Sequence, residues 1–125
     1  MGVRLTDLGR EDRSEKCNWW NWRPTFALMQ ASGVLDDVQQ VTLELGVGEV
    51  SEDQARAIAR FLEERVLPAV WPDERVLLDG AVTAEPDDGT FHRGATKQDK
   101  NYSADGEWLR QFAAFCRECR GFSVG

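Results

Sequence analysis

Cys116-Arg117-Glu118-Cys119 is a C-x-x-C, a spacing that can supply half of a zinc site or a dithiol centre. The zinc reading adds Cys17 and His92. Tetrahedral zinc takes four N or S ligands, and these four are all the cysteines and histidines the chain has. Its weakness is spacing, since structural sites usually draw two ligands from each of two tight knuckles. The redox reading needs its nucleophilic thiol at a helix N-terminus, where the dipole lowers the pKa. Cys116 instead falls near the end of an expected helix, where the field opposes a thiolate. The plainer account outweighs both: Cys116 and Cys119 are small hydrophobes on an apolar stripe. No cofactor is therefore expected, with zinc as the one alternative.

His92 is the sole histidine and a weak candidate for a general acid or base, since its pKa lies near neutrality. Asp79, Asp87 or Asp88 could orient it. No G-x-S-x-G elbow accompanies it. Asp79, Glu85, Asp87 and Asp88 crowd one stretch, and paired carboxylates can cleave glycosides or hold a hard cation. The EF-hand alternation and its closing glutamate are missing, so a solvated acidic turn is the favoured account. Gly46-Val47-Gly48-Glu49 lacks the third glycine and flanking strand of a dinucleotide loop, and there is no Walker lysine.

Trp19, Trp20 and Trp22 fall within four residues. At helical spacing Trp19 and Trp22 share a face and Trp20 points elsewhere. Two tryptophans in the core is the plain reading. The sharper one has Trp20, with Asn18, Asn21 and Arg23, lining a pocket or a partner surface. Tryptophan and arginine dominate binding hot spots. Tyr102 and Asn101, at the start of the expected last helix, could join Arg23 in gripping an anion.

The elements that must position these residues read as mainly α. About four helices surround one core, with a long irregular loop that holds a little strand. Residues 1–125 form a single domain, in which 1–16 are an arm or a short edge strand. Trp19, Trp22, Phe26 and Met29 keep helical spacing, with regular helix starting at Arg23 or Pro24 and Gly33 just past its end. Leu35, Val38, Val41 and Leu45 make a second apolar stripe. Ser51-Glu52-Asp53-Gln54 is a capping box that opens a third helix, buried along Ala55, Ile58, Ala59, Leu62 and Val66, with Arg56 facing water. Arg75–Leu78 reads as a short strand with Ala81–Thr83 its weak continuation, so that the loop holds a short strand or a hairpin. Ser103 caps a last helix whose apolar face runs from Trp108 to Cys119.

Asn18-Trp19-Trp20-Asn21-Trp22-Arg23-Pro24 and Phe112-Ala113-Ala114-Phe115-Cys116 with Gly121-Phe122 resemble blocks in a group of small bacterial proteins of uncharacterised function. The quoted blocks cover 14 of the 125 residues. The resemblance implies a bacterial cytosolic setting and carries no activity or ligand with it.

Charge then narrows the function. Acids outnumber bases 22 to 15, for a net charge of -7. That excludes a general nucleic-acid binder, whose footprint is basic, and argues against docking on anionic membranes. No apolar run approaches a bilayer span, and Met1–Lys16 has no signal-peptide h-region. Three cysteines without a secretion signal fit a reducing cytoplasm. The leading expectation is a non-enzymatic, acidic protein-binding or regulatory module with a basic partner. It would act as immunity proteins do, an analogy from size and charge. Its binding residues would be Trp20, Arg23, Asp87, Asp88 and Tyr102. The first alternative is an anion- or small-molecule-binding protein or small enzyme. Its pocket would lie between Trp19–Arg23 and the 79–102 loop. The second alternative is a structural zinc protein built on Cys17, His92, Cys116 and Cys119.

Overall fold

Val3, Leu5 and Asp7 are buried and alternate with the more exposed Gly2, Arg4 and Thr6, the period-two signature of a half-buried strand. This is β1 (Gly2–Asp7). It pairs antiparallel with β2 (Ser14–Asn18), setting Val3 opposite Cys17. The computed structural model describes residues 2–85 and 102–125. Within them the chain continues through α1 (Trp19–Ala31), α2 (Asp37–Glu44), β3 (Gly48–Val50) and α3 (Glu52–Phe61). A π-helical turn, Leu62–Val66, and a 3-10 turn, Leu67–Ala69, extend α3. Then follow β4 (Arg75–Leu77), β5 (Val82–Thr83), β6 (Ser103–Asp105), α4 (Gly106–Glu118) and β7 (Phe122–Val124).

The expected mainly α class is thus corrected. Among the described residues, four α-helices stand beside seven strands in two antiparallel sheets. One sheet runs β2-β1-β7-β3 and the other β5-β4-β6. Most of these strands are two or three residues long, too short to declare a period of two in sequence. Residues 2–18 are no detached arm, since β1 is an interior strand held between β2 and β7. Of the strand or hairpin expected in this stretch, the hairpin is present: β4 and β5 pair antiparallel, turned at Gly80 with φ +90°, so Ala81–Thr83 folds back rather than continuing the first strand.

Two helix starts also move. α1 begins at Trp19 rather than Arg23, because Asn18 caps it by accepting from the Asn21 N–H at 2.8 Å. Pro24 is carried inside the helix, buried. Ser103 is not the cap of α4; it lies in β6 opposite Leu77. Asp105 is the cap, accepting from the Trp108 N–H at 2.6 Å. The Ser51 capping box is formed in full.

The core lies between the longer sheet and the helices. Phe122 of β7 sits 6.2 Å from Phe112 and 5.6 Å from Phe115 of α4. Gly121 makes that return possible. Its φ of +85° suits glycine, and a Cβ there would come within 2.7 Å of the Val50 carbonyl oxygen. Two buried indoles are anchored as well as packed. Trp22 donates to the Leu43 carbonyl and Trp108 to the Thr25 hydroxyl, each at 2.9 Å.

Candidate interaction surface

α1 divides the tryptophans as their spacing implies. Trp22 is fully buried, Trp19 packs against the core, and Trp20 is 43% exposed. One turn further along, Arg23 is half-buried. Tyr102 arrives from the segment leading into β6, whose pairing with β4 fixes that end of the chain. The Trp20 and Tyr102 ring centroids lie 4.9 Å apart, tilted by 38°. The Arg23 guanidinium sits 5.1 Å from the centre of the Tyr102 ring, a cation–π arrangement. Its other flank meets Glu44 of α2 at 3.8 Å. Three of the five candidate binding residues are therefore brought together. Asp87 and Asp88 lie outside the described residues, as do His92 and Asn101.

A groove of about 170 Å³ runs between Pro24, Ala27 and Ala31 on α1 and Leu77–Gly80 on the hairpin, while most of the 79–102 loop that was to line the expected pocket lies outside the described residues. A second groove of about 150 Å³ lies across Leu28 and Gly80. Pockets for small ligands usually hold about 300–1,000 Å³. A larger hollow of about 480 Å³ is open, and lies at strand residues including Arg4, Lys16 and Cys17, with none of the cluster in its lining. Among the described residues, no buried side-chain N or O lacks a hydrogen-bond partner, so none is held in reserve for a ligand.

The cysteines are structural in their surroundings. Cys17, Cys116 and Cys119 are all buried and free. Among the described residues no three His, Cys, Asp or Glu side chains form a group able to hold a metal, so the three thiols do not converge as the zinc reading requires. Cys116 is in the last turn of α4 and Cys119 is its C-cap. Arg56 reaches across from α3 and donates to the carbonyls of both, at 2.8 and 2.6 Å. It thereby satisfies carbonyls that a helix end leaves open. The water-facing Arg56 of the sequence reading is corrected accordingly. Burial pushes the Cys17 thiol up to about 12, with the Thr25 hydroxyl opposing and Asp105 adding. Burial, and then the neighbouring Cys119 thiol, hold Cys116 well above the ordinary thiol value. Cys119 is raised chiefly by burial too. None of the three is poised as a thiolate nucleophile.

Asp7 is the one buried carboxylate among the described residues. It accepts from the N–H of Gly9 at 2.8 Å and of Arg120 at 3.0 Å, tying the end of β1 to the turn after α4. Burial raises its pKa, but those two N–H groups, with Arg13 and Arg10, bring it below the ordinary value. Its acceptor role is internal.

The stripe Leu35, Val38, Val41 and Leu45 splits: Leu35 is buried, while Val38, Val41 and Leu45 are 71, 62 and 70% exposed. The helix turns Leu43 inward instead.

Searches against family models, curated proteins and solved structures return no match. The functional reading therefore rests on the chain's own residues. No helix among the described residues is long and apolar enough to cross a membrane.

Proposed function

We propose that this chain is a non-enzymatic protein-binding or regulatory module that engages a basic partner. The observation that carries the reading is the meeting of Trp20, Arg23 and Tyr102 at the surface, from opposite ends of the sequence. Tryptophan, tyrosine and arginine are the side chains on which interface energy concentrates. The net charge of -7 favours fast encounter with a basic partner and opposes self-association. Three free, buried thiols fit a reducing compartment, which supports a cytoplasmic setting. Neutralising a basic toxin or nuclease is the regulatory role this charge fits.

The test begins with native mass spectrometry of protein purified from its own host without chelator. Capture at low salt follows, with the wild type beside the Trp20→Ala/Tyr102→Ala variant. A stoichiometric partner retained by the wild type and lost by the folded variant supports the reading. A mass excess matching zinc or a metabolite, with no protein partner in either preparation, overturns it.

A further inference from the structure

Val38, Val41 and Leu45 repeat three and four residues apart and form one outward face of α2. Val47, 51% exposed, follows just beyond the helix. Single exposed apolar residues need no explanation, but a stripe of them at helical spacing does. Along the sequence, the charge beside it is one-sided. Between Arg23 and Arg56 the chain has no Lys, Arg or His. It has Asp36, Asp37, Glu44, Glu49, Glu52 and Asp53, and all six are exposed. Two of them are paired with the arginines that bound the stretch, Glu44 with Arg23 and Glu52 with Arg56. The N-terminus of α3 is held beside that of α2 by a reciprocal amide pair. Gln39 Nε2 donates to Gln54 Oε1 at 2.7 Å, and Gln54 Nε2 to Gln39 Oε1 at 2.8 Å. The acids of both helix starts therefore share one region.

We infer that the outward face of α2 is a docking surface for a basic amphipathic segment of another protein, an inference that rests on the protein-binding reading above. The apolar stripe supplies the buried contact, and the acids bordering it select lysine and arginine on the partner's flanks. A second copy of this chain is the poorer occupant, because pairing two such faces sets acid against acid. The face adjoins the aromatic cluster through the Arg23–Glu44 pair, so one partner can reach both.

The probe is a fluorescein-labelled, helix-forming peptide of about 18 residues, long enough to hold helix, with leucine at helical spacing and lysine elsewhere. A second peptide has the same composition with its leucines shuffled. Fluorescence anisotropy is read with the full chain. The patterned peptide binds, more weakly as salt rises from about 0.05 to about 0.5 M. The shuffled peptide binds at least about tenfold more weakly, and Val41→Ser/Leu45→Ser weakens the patterned one by about tenfold or more. Val38→Gln is the second variant, should the double substitution fail to fold. Equal binding of the two peptides overturns the inference, as does wild-type affinity in the folded α2 variants or no binding by the wild type. A dimer in sedimentation equilibrium that Val41→Ser/Leu45→Ser dissolves also overturns it, and gives the face to a second copy. Loss of peptide binding in Trp20→Ala/Tyr102→Ala alone overturns this face while leaving the broader reading standing. That broader reading fails separately, through a retained metal or metabolite and no captured protein.

Discussion

α2 and α3 carry nearly the same local signal and place it oppositely. Both open with a complete capping box, Asp36 with Gln39 and Ser51 with Gln54. Both repeat apolar residues at helical spacing. In α3 the stripe Ala55, Ile58, Ala59 faces the core and continues into Leu62, with α4 alongside. In α2 the stripe faces water. Periodicity thus reports that a helix has an apolar face, not where the face points. For α2 the direction is chosen by contacts distant in sequence. The buried Trp22 indole holds the Leu43 carbonyl, and Gly46, at φ +85°, turns the chain where a Cβ would strike Val3. From there Gly48–Val50 must pair with β7.

The largest effect expected on this contrast comes from truncating both stripes. Ile58→Ala should lower stability by about 2–5 kcal/mol, because a packed core cannot close over the lost atoms. Val41→Ala should change it by less than about 0.5 kcal/mol. Urea denaturation of the two variants measures both. Comparable losses would mean that α2 buries the face assigned here to solvent.

The next test addresses what the two helices share. Gln39 and Gln54 each complete a capping box and also pair with one another. Gln54→Ala should cost about 1–2 kcal/mol, since it removes part of a cap and leaves partners open, including the Val34 carbonyl. In a double-mutant cycle with Gln39→Ala, the coupling should be at least about 0.5 kcal/mol. Additive losses would show that the helix starts are held independently.

Acid should act on the α4 side of the molecule through Asp7. Its pKa is lower in the folded chain than the ordinary 3.8. Its stabilising contribution is therefore present above that value and lost as pH falls through the folded pKa. Asp7→Asn should flatten the acid limb of a stability-versus-pH curve between neutrality and about pH 2. An unchanged limb would place the acid sensitivity elsewhere.

How far the sequence could be read follows the same division. The Ser51 capping box, the strand character of 75–83 and the burial of Trp22 against the exposure of Trp20 had local signals, whereas the cation–π contact of Arg23 with Tyr102 is a long-range fact that had none. Residues 1–16 read as an arm or a short edge strand; β2 is an edge strand, but the interior place of β1 depends on β7, more than a hundred residues later, which no local pattern signals. Ser103 passed for a cap because it precedes a helix. Its pairing with Leu77 is a long-range fact, and Asp105 takes the role. Arg56 was given to solvent because its targets, the Cys116 and Cys119 carbonyls, are backbone atoms with no sequence signature. The absence of any base from 24 to 55 was legible throughout and would have marked the α2 face.

The smallest expected effect concerns the link between the two surfaces. Arg23 and Glu44 form an ion pair at 3.8 Å with side chains 36 and 55% exposed. Both charges stay solvated, so the attraction is screened and the ordering of two long side chains offsets much of it. Glu44→Gln should therefore change stability by less than about 0.5 kcal/mol in thermal or urea melts. The value matters because it separates two accounts of how α2 is oriented. If Leu43, the Trp22 hydrogen bond and the glutamine pair choose the face, removing this charge leaves the helix where it is. A loss above about 1.5 kcal/mol would mean that α2 is pinned by charge, and the contrast with α3 would then be electrostatic rather than a matter of packing.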